Sequence, residues 1–161
     1  MKTAIVYYSM GGNTALAAEK LAGGLDADLI EIKPVKAFPD KGLKKFLWGG
    51  KSAVMAEMPA LQPYTFQADL YDQVIIGFPV WAGTFAPPVR TFVKENGEAL
   101  RGKPVAAFAC QGGSGAEKAF GKLLECLGLD SFKATLVLID PKARPSTEND
   151  RKIESFRDRL L

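Results

Sequence analysis

The stretch TAIVYYSMGGNTALAAEKLAGG, residues 3–24, joins three kinds of local structure without interruption. Its first segment, residues 3–8, is almost wholly apolar, as is typical of a parallel strand covered on both faces. Small residues follow, and behind them Ala17, Ala18 and Leu21 recur at helical spacing until Gly23-Gly24 ends the pattern. The stretch therefore predicts a strand, a glycine-rich loop and a helix in direct succession.

The same alternation continues to the end of the chain. The further predicted strands are residues 29–32, 73–78, 105–109 and 135–139. Apolar stripes between and after them predict helices that end at Asn96-Gly97 and at Gly128, and a last helix with Thr147 as its cap. Parallel strands require helical crossovers. We therefore expect one α/β domain over residues 1–161, a doubly wound, five-stranded parallel sheet with helices on both faces.

A long connection, residues 34–64, interrupts this alternation. Because a loop of this length rarely lacks structure, we expect a further helix at about residues 42–57. Its central stretch FPDKGLKKFLWGGKSAVMAEMP, residues 38–59, carries four lysines, Lys41, Lys44, Lys45 and Lys51, together with Phe46 and Trp48. We interpret the lysines as a solvated helix face rather than as a site for an NADPH phosphate or a partner.

Composition excludes several kinds of chemistry. The 161 residues include no histidine and two cysteines, Cys110 and Cys126, so histidine-ligated metals, serine–histidine catalysis and a disulfide framework are not expected. The net charge of +3 is spread along the chain, which does not indicate nucleic-acid binding. No apolar run approaches the ~20 residues of a membrane span, and no signal-peptide pattern is present. We expect a cytoplasmic protein without a membrane or metal site.

Three uncharged loops follow the first, third and fourth predicted strands. They are SMGGNT at residues 9–14, PVWAGTFAPP at 79–88 and CQGGSG at 110–115. Ligands of open α/β sheets bind outside the carboxyl ends of the strands, so these loops are expected to meet. The first loop offers free backbone amides, hydroxyls, Asn13 and a helix N-terminus, which together predict an anion site. It lacks the lysine of a Walker A loop and the spacing of a dinucleotide fingerprint. In the second loop, Trp81 is a platform for a flat ring, and Gly83 lets backbone approach it closely.

SMGGNT resembles the phosphate loop of the flavodoxins, usually Ser/Thr-x-Thr/Ser-Gly-Asn-Thr, and PVWAGTFAPP resembles their flavin-ring loop. CQGGSG is similar to their third loop, and the likeness covers nearly the whole chain. It implies non-covalent FMN on a sheet of order 2-1-3-4-5. The cofactor-binding residues implied are Ser9, Met10, Gly11, Gly12, Asn13, Thr14, Pro79, Val80, Trp81, Ala82, Gly83, Thr84, Phe85, Cys110, Gln111, Gly112 and Gly113. Cys110 is expected to contribute backbone rather than a nucleophile, because no base is available to activate it.

The sequence departs from the flavodoxin pattern in two ways. Gly11 replaces a hydroxyl residue, and the third loop lacks the aromatic residue that covers the second flavin face in many flavodoxins. Phe85, Phe46 and Trp48 are the candidates for that role.

The resemblance leaves more than one function open. The favoured function is an FMN electron carrier between a reductase and an acceptor protein, with the Ala82-Gly83-Thr84 backbone bonding to flavin N5. The alternative is an FMN-dependent oxidoreductase acting directly on NAD(P)H, a quinone or another small substrate. A binding module that has lost FMN is disfavoured by Asn13, Thr14, Trp81 and Gly83.

Overall fold

The computed structural model describes residues 1–38 and 57–161. Its strands are β1 (Thr3–Tyr7), β2 (Ala27–Glu31), β3 (Gln73–Trp81), β4 (Thr84–Phe85), β5 (Val105–Gln111) and β6 (Thr135–Ile139). Its α-helices are α1 (Asn13–Ala22), α2 (Pro87–Leu100), α3 (Ala116–Leu127) and α4 (Thr147–Leu160). A short 3-10 turn, Ala68–Leu70, precedes β3. Residues 42–56 of the helix predicted at about 42–57 lie outside the described residues, as do Lys41, Lys44, Lys45, Lys51, Phe46 and Trp48.

The five long strands are parallel and ordered β2-β1-β3-β5-β6, while the two-residue β4 pairs antiparallel with the end of β3. Numbered without β4, this is the predicted order 2-1-3-4-5, so the doubly wound fold is confirmed. The strand β2, which contains Asp28 and Glu31, lies at an edge of the sheet. The chain leaves β1 in one direction towards β2 and returns to β3 on the other side. The switch point of the sheet is therefore between β1 and β3.

Alternate residues of each strand point into two separate cores, as the two-residue period of a strand requires. On one face, Ala4 and Val6 pack with Phe92 of α2 and Phe120 of α3. On the other face, Ile5 packs with residues of α1 and α4. Helices thus cover both faces, which explains why the central strands are largely apolar.

Some predicted boundaries were wrong. Helix α2 continues past Asn96-Gly97 to Leu100, because the Asn96 side chain donates to Phe92 O within the helix and to the Tyr64 hydroxyl instead of stopping the helix. The cap of α4 is Ser146 rather than Thr147, since the Ser146 hydroxyl accepts the N–H of Asn149. In the described part of the chain, no helix combines the length and apolar character needed to cross a bilayer.

Asn149 joins the start of α4 to the end of β6. Its side chain is buried, accepts the N–H of Ile139 at 3.2 Å and donates to the carbonyl of Ile139 at 3.0 Å. We expect Asn149→Ala to lower the free energy of unfolding by about 2–3 kcal/mol, because both backbone groups lose their partner. Urea unfolding measures this. Glu154→Ala, at an exposed position on the same helix, is the control, and an equal loss in both variants would contradict the prediction.

Candidate functional site

The first loop presents an array of unsatisfied backbone donors. The N–H of Leu16 bonds to Gly12 O, and the N–H of Ala15 bonds to the Ser9 hydroxyl at 3.1 Å. The amides of residues 11–14 have no acceptor in the described part of the chain. They lie at the N-terminus of α1, whose first turn contains no acidic residue. Free amides and the positive end of the helix dipole together favour an anion.

Two polar side chains of the first loop, Asn13 and Thr14, are only partly available to a ligand. The Oδ1 of Asn13 accepts the backbone amides of Lys142 and Ala143, at 2.8 and 3.3 Å. Thr14 is buried, with 1% of the residue exposed. Of the Asn13 side chain, only the amide nitrogen is left for a ligand.

The second loop is a β-hairpin rather than an open loop. β3 continues to Trp81, and the two turn residues Ala82 and Gly83 have φ of 49° and 71° before β4 returns. Positive φ at both positions is typical of a tight type I′ hairpin turn. Alanine is rare there, so the Ala82-Gly83 turn is held in a conformation that its sequence does not prefer.

Trp81 belongs to an aromatic cluster beside the first loop. Its ring meets Tyr8 edge-on at 5.8 Å between centroids and Phe38 at 5.5 Å, and only 4% of the residue is exposed. The sequence did not predict a role for Phe38, because no motif surrounds it in the long connection. The side chain of Phe85, a candidate for covering a flavin face, is instead fully buried against Phe78 and under Arg90.

The third loop is held by its own side chain and by the hairpin. Gln111 accepts the N–H of Ala116 at the start of α3 and donates to Gly113 O. Gly115, at φ 107°, lies so close to the hairpin that a Cβ there would be 3.1 Å from the Cα of Gly83. The second and third loops are therefore in direct contact.

A cleft of about 280 Å³ lies where these loops meet. The predicted site residues that line it are Ser9, Met10, Gly11, Asn13, Thr14, Pro79, Val80, Trp81, Cys110 and Gly112. The predicted residues that do not line it are Gly12, Ala82, Gly83, Thr84, Phe85, Gln111 and Gly113. The structure thus brings residues of all three loops to one cleft, although seven of the predicted residues do not line it.

A fourth loop, residues 140–146 after β6, also reaches the cleft and was missed in the sequence. Asp140 lines the cleft, and Arg144 binds its carboxylate at 2.8 Å and Gly112 O at 2.7 Å. The sequence could have indicated this loop by its position alone. It follows a parallel strand, as the three predicted loops do, and so lies at the same edge of the sheet. The surroundings of the cleft are therefore charged, although the three predicted loops are not.

Cys110 is held as a neutral thiol. The pKa of Cys110 is raised from 9.0 to about 12, mainly by burial; the Thr14 hydroxyl opposes this increase, and the charge of Asp140 adds to it to a smaller extent. The folded state thus favours the protonated thiol, whose contribution to stability is complete below pH 9 and is lost as the pH rises towards 12. We expect unfolding by urea to become easier from pH 9 upward, and less steeply in Cys110→Ala. An unchanged pH profile in that variant would contradict this.

The sheet order and the amide-rich cleft at the switch point define the flavodoxin-like class of α/β folds. The sequence model of a family described as flavodoxin matches residues 2–151, so the chain belongs to the flavodoxin family. The search of curated proteins found no significant match.

Solved structures agree with this assignment. A Bacteroides eggerthii protein with a provisional flavoprotein name is 27% identical with a TM-score of 0.78, covering 98% of this chain and 96% of that one. A flavoprotein from Lactobacillus acidophilus, solved in complex with FMN, is 26% identical with a TM-score of 0.65, covering 94% and 97%. Oxidised flavodoxin 1 from Bacillus cereus, 17% identical with a TM-score of 0.57 and coverage of 99% and 97%, shares the fold.

Proposed function

We propose that this protein binds FMN non-covalently and carries electrons between redox proteins of the cytoplasm. The observation that carries the proposal is the run of four amides, residues 11–14, without an acceptor in the described chain at the N-terminus of α1. FMN supplies one- and two-electron redox chemistry when bound, and the protein supplies position and electrostatics. The FMN complex of the 26%-identical Lactobacillus relative supports the choice of ligand.

The residues present fit FMN. The donor set of the first loop is neutral and rich in N–H groups, as a phosphate requires. A Cβ placed on Gly11 would meet no atom of residues 1–38 or 57–161 within 4 Å, apart from its chain neighbours. The remaining cleft is bounded by Met10, Trp81 and Cys110, whose side chains offer a largely apolar surface to a flat ring. Ala82 and Gly83 do not line this cleft, but their turn directly follows Trp81, which does, and we assign the turn peptides to the polar edge of the ring.

The buried position of Trp81 supports the carrier. With Tyr8 and Phe38 against it, this indole limits access of small molecules and water to its side of the cleft. A flavin ring covered on one side by this indole would be suited to exchange electrons with a partner protein, because less of the ring is open to a second small substrate.

A second cleft favours the alternative function, direct reduction or oxidation of a small molecule. It has a volume of about 270 Å³, shares Ser9 and Met10 with the first cleft, and is also lined by Phe38, Lys33 and Gln62. A nicotinamide or quinone bound there would lie next to the proposed flavin site. This is the observation that keeps the oxidoreductase as second candidate.

One experiment tests both functions. The purified full-length chain is titrated with FMN, and the reconstituted protein is mixed anaerobically with NADH or NADPH, with and without an added flavodoxin reductase. The carrier predicts loss of flavin absorbance only when the reductase is present. Rapid loss with the nicotinamide alone would establish the oxidoreductase instead. Failure to bind FMN would overturn both.

A further inference from the structure

The fourth loop is fixed to the first loop by a pair of hydrogen bonds. The side-chain oxygen of Asn13 accepts the backbone amides of Lys142 and Ala143. Arg144 holds the same loop to the third loop through Gly112 O. The backbone of Lys142 therefore has a defined place beside the start of α1, although these residues are 129 positions apart in the sequence.

The side chain of Lys142 lies across Gly12. A Cβ built on Gly12 would be 2.7 Å from Lys142 Nζ and 2.9 Å from its Cδ, closer than real Cβ atoms approach other atoms. The lysine thus occupies the space that the missing side chain leaves free. The ammonium group of Lys142 therefore lies beside Gly12. The amide of Gly12, like the amides of residues 11, 13 and 14, has no acceptor in the described chain.

Lys142 has no carboxylate partner among the described residues, whereas Arg144 has one. Arg144 pairs with Asp140 at 2.8 Å, which neutralises both groups. No carboxylate of the described chain lies within 4.0 Å of Lys142 Nζ. An ammonium group and four unsatisfied amides together form a positive centre that an anion with several oxygen atoms would complete.

We propose that Lys142 is a ligand of the FMN phosphate, so that this site is charge-assisted rather than built from dipoles alone. The proposal rests on the proposed function and goes beyond it by assigning a residue outside the three predicted loops. The Asn13 contacts hold the backbone of Lys142 beside the first loop, and its exposed side chain lies over Gly12.

The test compares FMN with riboflavin, which lacks the phosphate. We expect Lys142→Met to weaken FMN binding roughly tenfold, the value of a hydrogen bond to a charged group, and to leave riboflavin binding unchanged. Lys142→Arg should retain most of the FMN affinity. Lys94→Met, at an exposed position on α2, makes the same change in net charge and is the control. Flavin fluorescence quenching at two salt concentrations gives the dissociation constants, and competition by inorganic phosphate should weaken in Lys142→Met.

The outcomes separate this inference from the proposed function. If the unchanged protein binds FMN and Lys142→Met binds it equally well, or loses FMN and riboflavin affinity in parallel, the phosphate role of Lys142 is wrong and the function stands. If the unchanged protein binds neither flavin, both are wrong. Selective loss of FMN affinity that higher salt reduces would support the assignment.

Discussion

Gly77→Ala is expected to lower the free energy of unfolding by about 3 kcal/mol, the upper end of the usual penalty for overpacking a core. Gly77 lies in the centre of β3 and pairs with Phe108 of β5. A Cβ on Gly77 would be 2.7 Å from Cε2 of Phe108 and closer still to its Cε1 and Cζ. Phe108 is fully buried, so its ring has no free space into which to move.

A double-mutant cycle measured by urea unfolding tests this cause. In a Phe108→Val background the space over Gly77 is open, so the added methyl group should cost nothing or stabilise the protein slightly, as alanine normally does relative to glycine in a strand. Gly121→Ala is the matched control, because Gly121 is exposed on α3 and a Cβ there meets no atom within 4 Å. Equal effects of Gly77→Ala in both backgrounds would exclude the ring contact as the cause.

The sequence predicted the fold well because the fold depends on local and periodic signals. The apolar strands, the stripes of the helices and the glycines after α1 and α3 each act within a few residues, and parallel strands require crossovers. The errors occur where distant contacts override a local signal. Asn96-Gly97 is a local stop, but Asn96 bonds to Phe92 and to Tyr64 and the helix continues.

The site was predictable only as far as the three loops. The rule that ligands bind at the carboxyl ends of strands placed them at one edge, and the structure brings them to one cleft. The sequence could not show that Asn13 bonds to the fourth loop, because that contact spans 129 residues. Nor could it show that Phe38 and Tyr8 surround Trp81, since nothing in their spacing indicates the contact.

Gly12→Ala is expected to weaken FMN binding tenfold or more. Alanine in the left-handed conformation should lower the free energy of unfolding by about 1–2 kcal/mol, so the protein remains folded. The φ of Gly12 is 95°, a conformation that alanine avoids, and the added Cβ would collide with Lys142. Relaxation of Gly12 would turn its amide and that of Asn13 away from their present directions. Because the amides serve the phosphate, riboflavin affinity should change little, and fluorescence titration with both flavins measures the difference.

Gly11 provides the matched control because it precedes Gly12 in the same loop and differs in the two decisive properties. Its φ is outside the left-handed region, and a Cβ there meets no atom of the described residues beyond its chain neighbours within 4 Å. Gly11→Ala should therefore bind FMN nearly as well as the unchanged protein. Gly11→Ser, which restores the hydroxyl residue of the flavodoxin pattern, should bind it as tightly or more so. If Gly11→Ala lost as much FMN affinity as Gly12→Ala, the conformation of Gly12 would not be what orients the amides, and the phosphate loop would tolerate no side chain at either position.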